Sequence, residues 1–188
     1  MDDSVAMQIG GALDSTTDLL TTLLDMSRLE AGGLVPEPRA FPLAEVLEPL
    51  VAQFGVMAAE HGLRLRFVPT RAWVGSDPQL LRRVLQNFLA NALRYTDRGS
   101  VLLGVRRHGD LLRIAVHDTG PGIGADQREA IFEEFRRGDD APGQGLGLGL
   151  AIAQRIAGLL GSAIHLRSAP TQGSMFAVDV PRASAAHP

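Results

Sequence analysis

Cysteine is absent from this 188-residue chain, so a disulfide frame, thiol chemistry and a cysteine-based metal site are all excluded. Lysine is absent too: every one of the 18 basic residues is arginine. That rules out a phosphate loop ending in Gly-Lys-Ser/Thr, and it rules out Schiff-base chemistry. Aromatic residues make up only 5% of the chain, with a single Trp and a single Tyr. Neither sign of charge dominates. The formal net charge is −3, which argues against a nucleic-acid partner. No apolar run approaches the roughly 20 residues needed to cross a bilayer, and no basic-then-apolar leader opens the chain. The expected setting is cytoplasmic, whether or not a membrane sensor precedes this piece. The length suits one compact domain of about 150 residues with an appendage.

What is present is concentrated between Asp118 and Leu150, where an acid-led glycine turn opens the stretch and a glycine-leucine run closes it. Glycines recur where side chains would keep backbone N–H groups away from phosphate oxygens. Asp118 ends the apolar run 111–116, so its carboxylate is expected to project from a strand end into a cleft. An anion there repels phosphate but accepts hydrogen bonds from an amine such as that of adenine. At the other end, Gly145, Gly147 and Gly149 are expected to open a helix onto phosphates. The two ends together describe a nucleotide site.

In chain order, residues 4–31 read as one helix stopped by Gly32-Gly33, with Ile9, Leu13, Thr16, Leu20 and Leu23 forming a seam that calls for a partner helix. Residues 34–42, with Pro36, Pro38 and Pro42, read as a linker holding at most a short strand. A helix over 43–60, with Pro42 at its start, ends at His61-Gly62, where His61 is most simply a group near a helix C-terminus. Leu63, Leu65 and Phe67 alternate with Arg64 and Arg66 as a half-buried strand. Asp77-Pro78 opens a helix running to about Tyr95. Asn87, Asn91 and Arg94 share one face of it. A solvated polar stripe is the plain reading of that face. Asparagine is a poor mid-helix residue, however, and its neutral amide oxygen can hold Mg²⁺ directly or through water.

Strands follow near 100–107 and 111–118 around a turn at His108-Gly109-Asp110, with His108 and His117 read as structural. Ala125 to Phe132 reads as a short helix, 136–144 as an aperiodic loop suited to a lid, and Leu148 to Leu160 as a helix. A strand pair, 164–166 and 175–180, turns at Gly173, and residues from 181 on read as a tail containing His187. The pattern predicts an α+β fold, a two-layer sandwich of a mixed β-sheet with helices on one face, plus a long N-terminal helix. The expected organisation is a helix of a partial dimerisation domain over 1–33, a linker over 34–42, a nucleotide-binding domain over 43–181 and a tail over 182–188.

These motifs, in this order, resemble the catalytic and ATP-binding domain of sensor histidine kinases over roughly residues 40–181. Asn87-Phe-Leu-Ala-Asn91-Ala-Leu-Arg94-Tyr95 resembles that family's N box, and Asp118-Thr-Gly120-Pro-Gly122-Ile123-Gly124 its first glycine box. Phe132-Glu-Glu-Phe135 is similar to its F box, and Gly145-Leu146-Gly147-Leu148-Gly149-Leu to its second glycine box. The resemblance implies that Asn91 is the main Mg²⁺ ligand, supported by Asn87, and that Arg94 reaches phosphate where the family more often has Lys. It implies that Tyr95 packs on adenine and Asp118 accepts from its amine, with Gly122 allowing close approach. Gly120, Ile123 and the second glycine box would line the nucleotide. Phe132 and Phe135 would hinge the lid, and Ser174 would contact the base through water. Arginine keeps the charge of lysine but not its point-like geometry.

The segment Leu23-Leu-Asp-Met-Ser-Arg-Leu-Glu-Ala-Gly resembles the end of the second helix of a dimerisation and phosphotransfer domain. None of the five histidines has the setting of a phosphoacceptor. The implied activity is ATP-dependent transfer of the γ-phosphate to a histidine on a helix outside this chain. This piece alone is then expected to bind Mg-ATP without phosphorylating itself. The implied partners are the phosphoacceptor helix of the same kinase, a response regulator receiver domain and, in the full-length protein, a second copy. Other readings compete with this one. A gyrase- or chaperone-type ATP hydrolase would need a glutamate where Asn87 stands, to activate water. A non-catalytic, nucleotide-dependent interaction module would bind ATP without transfer. A dinucleotide site could use the Gly120-Pro-Gly122-Ile-Gly-Ala125 turn, but a parallel strand would have to follow the next helix.

Overall fold

The computed structural model describes Leu24, Ser27 and residues 31–134 and 147–185. Most of the N-terminal helix reading, the lid loop and the site candidates Phe135, Gly145 and Leu146 therefore lie outside the described residues. The elements, in order, are β1 (Arg39–Pro42), α1 (Ala44–Glu60), β2 (Arg64–Phe67), β3 (Trp73–Ser76), α2 (Pro78–Tyr95), β4 (Ser100–His108) and β5 (Leu111–Asp118). A 3₁₀ turn (Ala130–Phe132), α3 (Gly149–Leu159), β6 (Ile164–Ser168) and β7 (Ser174–Ala183) complete them. The strands form one sheet in the order β1-β3-β7-β5-β4-β2, with β6 paired to β7 as well. β2 runs parallel to β4 and the other pairs are antiparallel, so the sheet is mixed as expected.

Alternation along the central strands decides which face the helices cover. Ile114 and Val116 of β5, Val101 and Leu103 of β4, and Phe176, Val178 and Val180 of β7 are buried on one face. α2 lies over this face, between α1 and α3, and packs against β4 and β5. It presents Leu81, Val84, Leu85, Phe88 and Leu89, spaced three and four apart and each 0% exposed. Each such side chain contributes about 1.5–3 kcal/mol by leaving water. The Phe88 and Phe176 rings stack tilted at 5.5 Å, and Phe132 meets Phe176 edge-on at 6.4 Å, so one aromatic on the sheet joins α2 to the 3₁₀ turn.

Asp77 starts α2 as expected: its Oδ1 accepts from the N–H groups of Gln79 (2.9 Å) and Leu80 (3.0 Å), with Pro78 in the first turn. Its Oδ2 accepts from Glu37 N–H at 2.8 Å and so ties the segment before β1 to the domain.

Several expectations change. Pro42 ends β1 and does not open a helix. The Leu43 N–H that follows donates to Ala72 O, and α1 begins at Ala44. The short strand allowed for within the linker stretch is residues 39–42, which pair with β3. β3 itself was not foreseen, being four residues with a glycine between Pro69 and Asp77-Pro78. The helix expected over 125–132 is reduced to a 3₁₀ turn at 130–132. No side chain caps that turn, and Arg128 reaches away to the Ser168 carbonyl. Residues 181–183 are not tail. β7 continues to Ala183 because Trp73 and Val74 offer a further pairing edge.

Candidate functional site

The base end of the site is built where β5 stops. Asp118 is half-buried on the helix-covered side, and its Oδ1 accepts from the N–H groups of Gly120 (2.9 Å) and Ser174 (3.2 Å). Among the described residues no donor reaches Oδ2 and no cation pairs with the carboxylate. Burial pushes the Asp118 pKa up, against the opposing pull of the Gly120 and Ser174 N–H groups and of His117. Burial likewise lowers His117, with repulsion from Arg106 adding to the shift and Asp118 opposing it.

The turn after Asp118 packs tightly against its own chain. Gly122 has φ +74°, and an added Cβ would lie 1.9 Å from the Ala169 carbonyl oxygen. Its lack of a side chain is thus demanded by the β6–β7 turn. Gly173 has φ +74° as well, and a Cβ there would stand 2.0 Å from the Asp118 carbonyl oxygen. The two turns are interlocked, and this fixes where the carboxylate points. Gly120 abuts the end of α2, near the Tyr95 carbonyl and Thr96 Oγ1. Thr96 is 3% exposed, and its hydroxyl has no partner among the described residues, leaving a buried polar atom for a ligand or a water beside Asp118. Tyr95 is 36% exposed at the same corner.

The other end of the site lies along α2. Asn87 Nδ2 donates to Arg83 O at 2.9 Å, which turns its Oδ1 towards Gly149, where an added Cβ would stand 2.7 Å away. Gly149 is the first residue of α3. Leu148 before it offers no side-chain cap and is itself buried, the first turn holds no acid, and Gly147 has φ +69°. Among the described residues the N–H groups opening α3 have no side-chain cap, and they lie beside Asn87 at the positive end of the helix dipole. Asn91 is half-buried one turn beyond Asn87 and has no hydrogen-bond partner among the described residues. Arg94 is exposed one turn further on.

From Asn87 to Tyr95 the helix rises about 12 Å. The site thus suits an elongated ligand, with an amine donor at the Asp118 end and anionic oxygens at the α3 end. Among the described residues no group of three or more His, Cys, Asp or Glu side chains could cage a metal. The donors on offer are neutral amide oxygens, which fit a hard cation only if the ligand brings further oxygens.

The structure brings together Asp118, Gly120, Gly122, Ile123, Tyr95 and Ser174 at one end, and Asn87, Gly147, Leu148 and Gly149 at the other, with Asn91 and Arg94 on the connecting helix. Phe132 packs on Phe176 below them. Sequence spacing alone does not single out Ser168, whose Oγ meets Ile123 N, Gly173 O and Ser174 Oγ, nor Thr96 and Arg128. A serine or threonine beside a glycine or proline turn was the only available hint. A cleft of about 380 Å³ is lined by Asp118, Ser168, Gly173 and Ser174 together with His117, Arg167 and Met175.

Residues 76–184 match the family described as histidine kinase-, DNA gyrase B- and HSP90-like ATPase. The chain is 35% identical over 176 residues to the sensor histidine kinase RcsC of Escherichia coli K12, covering 90% of this chain and 18% of that protein. It is 38% identical over 195 residues to the sensor protein KdpD of Rathayibacter rathayi, covering 98% of this chain and 22% of the relative. Full-length ShkA, solved in complex with AMPPNP, superposes with a TM-score of 0.83 at 30% identity, over 98% of this chain and 39% of that one. The Acinetobacter baumannii histidine kinase AdeS shares the fold, with a TM-score of 0.76 at 21% identity over 96% of this chain and 85% of that one.

Proposed function

This chain belongs to the histidine kinase-, DNA gyrase B- and HSP90-like ATPase family, and from that premise we propose that it is the ATP-binding catalytic domain of a sensor histidine kinase. One observation carries the reading. A half-buried carboxylate has one oxygen held by backbone N–H groups and the other open, at the end of a helix whose Asn87 oxygen lies against a helix N-terminus that no described side chain caps. Asp118 accepts from the adenine amine, and Tyr95 covers the base. Ile123 and Gly120 border it, and Ser174 adds a polar contact. The N–H groups opening α3 take phosphate oxygens, and Arg94 adds charge from the end of α2. Among the described residues no helix is long and apolar enough to cross a membrane. The AMPPNP complex of ShkA supports a nucleotide at this kind of site.

Asn91, with Asn87 beside it, would hold Mg²⁺ together with phosphate oxygens of the nucleotide, and the ion would neutralise charge on the transferring group. The chain's own contribution is to bind and align. Asp118 fixes one end of the nucleotide and α3 the other, so that the γ-phosphate is presented in line to an imidazole nitrogen of the phosphoacceptor helix. The P–O bond to ADP breaks as the P–N bond forms. A response regulator receiver domain then takes the phosphoryl group, and a second copy of the protein completes the dimer. In this reading Phe132 and Phe135 hinge the lid, and Gly145 and Leu146 belong to the second glycine box on the phosphate side.

Titration calorimetry with Mg-ATP tests the reading. Asp118→Asn and Asn91→Ala are each expected to weaken binding about ten- to a hundredfold while the proteins stay folded. Wild-type affinity in both variants would overturn it.

A further inference from the structure

The Ser168 hydroxyl, at the end of β6, lies at the centre of a small hydrogen-bond network. Its Oγ is 2.8 Å from Ile123 N, 2.9 Å from Gly173 O and 2.9 Å from Ser174 Oγ. A hydroxyl has one proton and two lone pairs, which leaves a single consistent assignment. Ile123 N–H can only donate, and Gly173 O can only accept. Ser168 therefore accepts from Ile123 and donates to Gly173, and the contact with Ser174 must run from the Ser174 hydroxyl into Ser168. The reverse direction would set the Ser168 and Gly173 oxygens 2.9 Å apart with no proton between them. Arg128 Nη2 also donates to the Ser168 carbonyl, so this residue joins the glycine turn, the β6–β7 turn and the segment before the 3₁₀ turn.

The consequence falls on Ser174. With its only proton committed to Ser168, its Oγ keeps only lone pairs for any further partner, and its N–H is committed to Asp118 Oδ1. Beside the open Oδ2 of Asp118, the base end of the site then offers acceptors and no donor from this pair. An exocyclic amine with two N–H groups matches that polarity, directly or through a water. A ring carbonyl at the same position does not.

We propose that Ser168 is a specificity-determining positioning residue. By fixing the direction of the Ser174 hydrogen bond, it adds to the preference that Asp118 sets for 6-amino over 6-oxo purine nucleotides. The inference rests on the nucleotide reading above and goes beyond it, since Ser168 does not touch the base.

The test is the ratio of dissociation constants for ATP and inosine triphosphate, each with Mg²⁺, measured by calorimetry on the whole chain. In Ser168→Ala the Ser174 hydroxyl is free to rotate and donate to a 6-oxo group, so the preference for ATP is expected to fall about tenfold. Ser168→Thr keeps the oxygen and is expected to keep the preference. If Ser168→Ala melts below the assay temperature, the ratio is measured on it at a lower temperature where the fold holds, and Ser174→Ala, which removes the oriented acceptor, is expected to lower the preference by weakening ATP alone. Equal weakening of both nucleotides, or no change in either, overturns the proposal, because a merely structural role leaves the ratio alone. A wild-type chain that binds neither nucleotide, or an Asp118→Asn variant that binds ATP normally, sinks the site reading itself.

Discussion

Asp118 and Asp179 sit on the neighbouring strands β5 and β7 and point to opposite faces of the sheet. Asp118 is paired in register with Ser174, and five residues back Arg113 is paired with Asp179. On the face away from the helices, Asp179 accepts from Arg113 Nε on one oxygen and Nη2 on the other, each at 2.7 Å. His165 Nε2 is 2.7 Å from Oδ2 and 3.1 Å from Arg113 Nη2. One ring nitrogen can serve only one of these, and the shorter distance assigns an Nε2–H donated to Asp179. The Arg113 hydrogen bonds hold the Asp179 carboxyl below its ordinary value, with His165 adding to the pull and burial opposing it. Asp118 has only backbone N–H groups, and burial wins. One carboxylate is saturated and contributes to stability. The other keeps an oxygen open, which costs stability until a ligand supplies the missing donor.

Breaking the saturated carboxylate should have the largest effect on stability. Arg113→Gln leaves Asp179 desolvated beside one remaining partner, and is expected to cost about 1.5–3 kcal/mol in urea unfolding, with nucleotide affinity unchanged. A comparable loss of ATP binding would show that the two faces are coupled.

Asp118→Asn works the other way. An Asn oxygen can still accept from Gly120 and Ser174, but the buried charge is gone. The midpoint of unfolding without nucleotide at neutral pH is therefore expected to rise, by less than Arg113→Gln lowers it. A fall would mean that the ionised carboxylate is compensated after all.

The smallest and sharpest difference is in pH. The folded pKa of Asp179 lies below its ordinary 3.8, so the stability it adds is present above that value and is lost as pH falls through the lower folded value. The folded pKa of Asp118 lies above 3.8, so its contribution is fully present below 3.8 and is lost as pH rises through the folded value. Plotted against pH, the stability difference from wild type should slope in opposite directions for Asp179→Asn and Asp118→Asn. Parallel slopes would remove the contrast.

Much of the site was legible because its determinants are local. Asp77-Pro78 is a helix start whatever surrounds it, and three- and four-residue spacing places Asn87, Asn91 and Arg94 on one face. The strand ending at Asp118 shows in the apolar run 111–116. β3 was missed because four residues carry too little period to be seen. They become a strand only because β1 and the end of β7 offer hydrogen-bonding edges on either side. The extension of β7 to Ala183 escaped for the same reason. A second reason for glycine at 122 is not local and so not legible: the atom that excludes a Cβ belongs to Ala169, 47 residues on.

The order of residues along the chain, by itself, determined the chemistry available here: an acid at a strand end, amides on a helix face, glycines before a helix, and neither thiol nor lysine. Those properties depend on backbone periodicity and side-chain type, which neighbouring residues set. Which oxygen of Asp118 stays open, which way the Ser174 proton points and which aspartate is paired were decided only by tertiary structure. Each depends on groups that folding brings within 3.2 Å of one another, some from distant stretches of chain, as when Ser174 N–H reaches Asp118 Oδ1 across 56 residues. No local rule specifies such meetings, because they are set by the register of β5, β6 and β7.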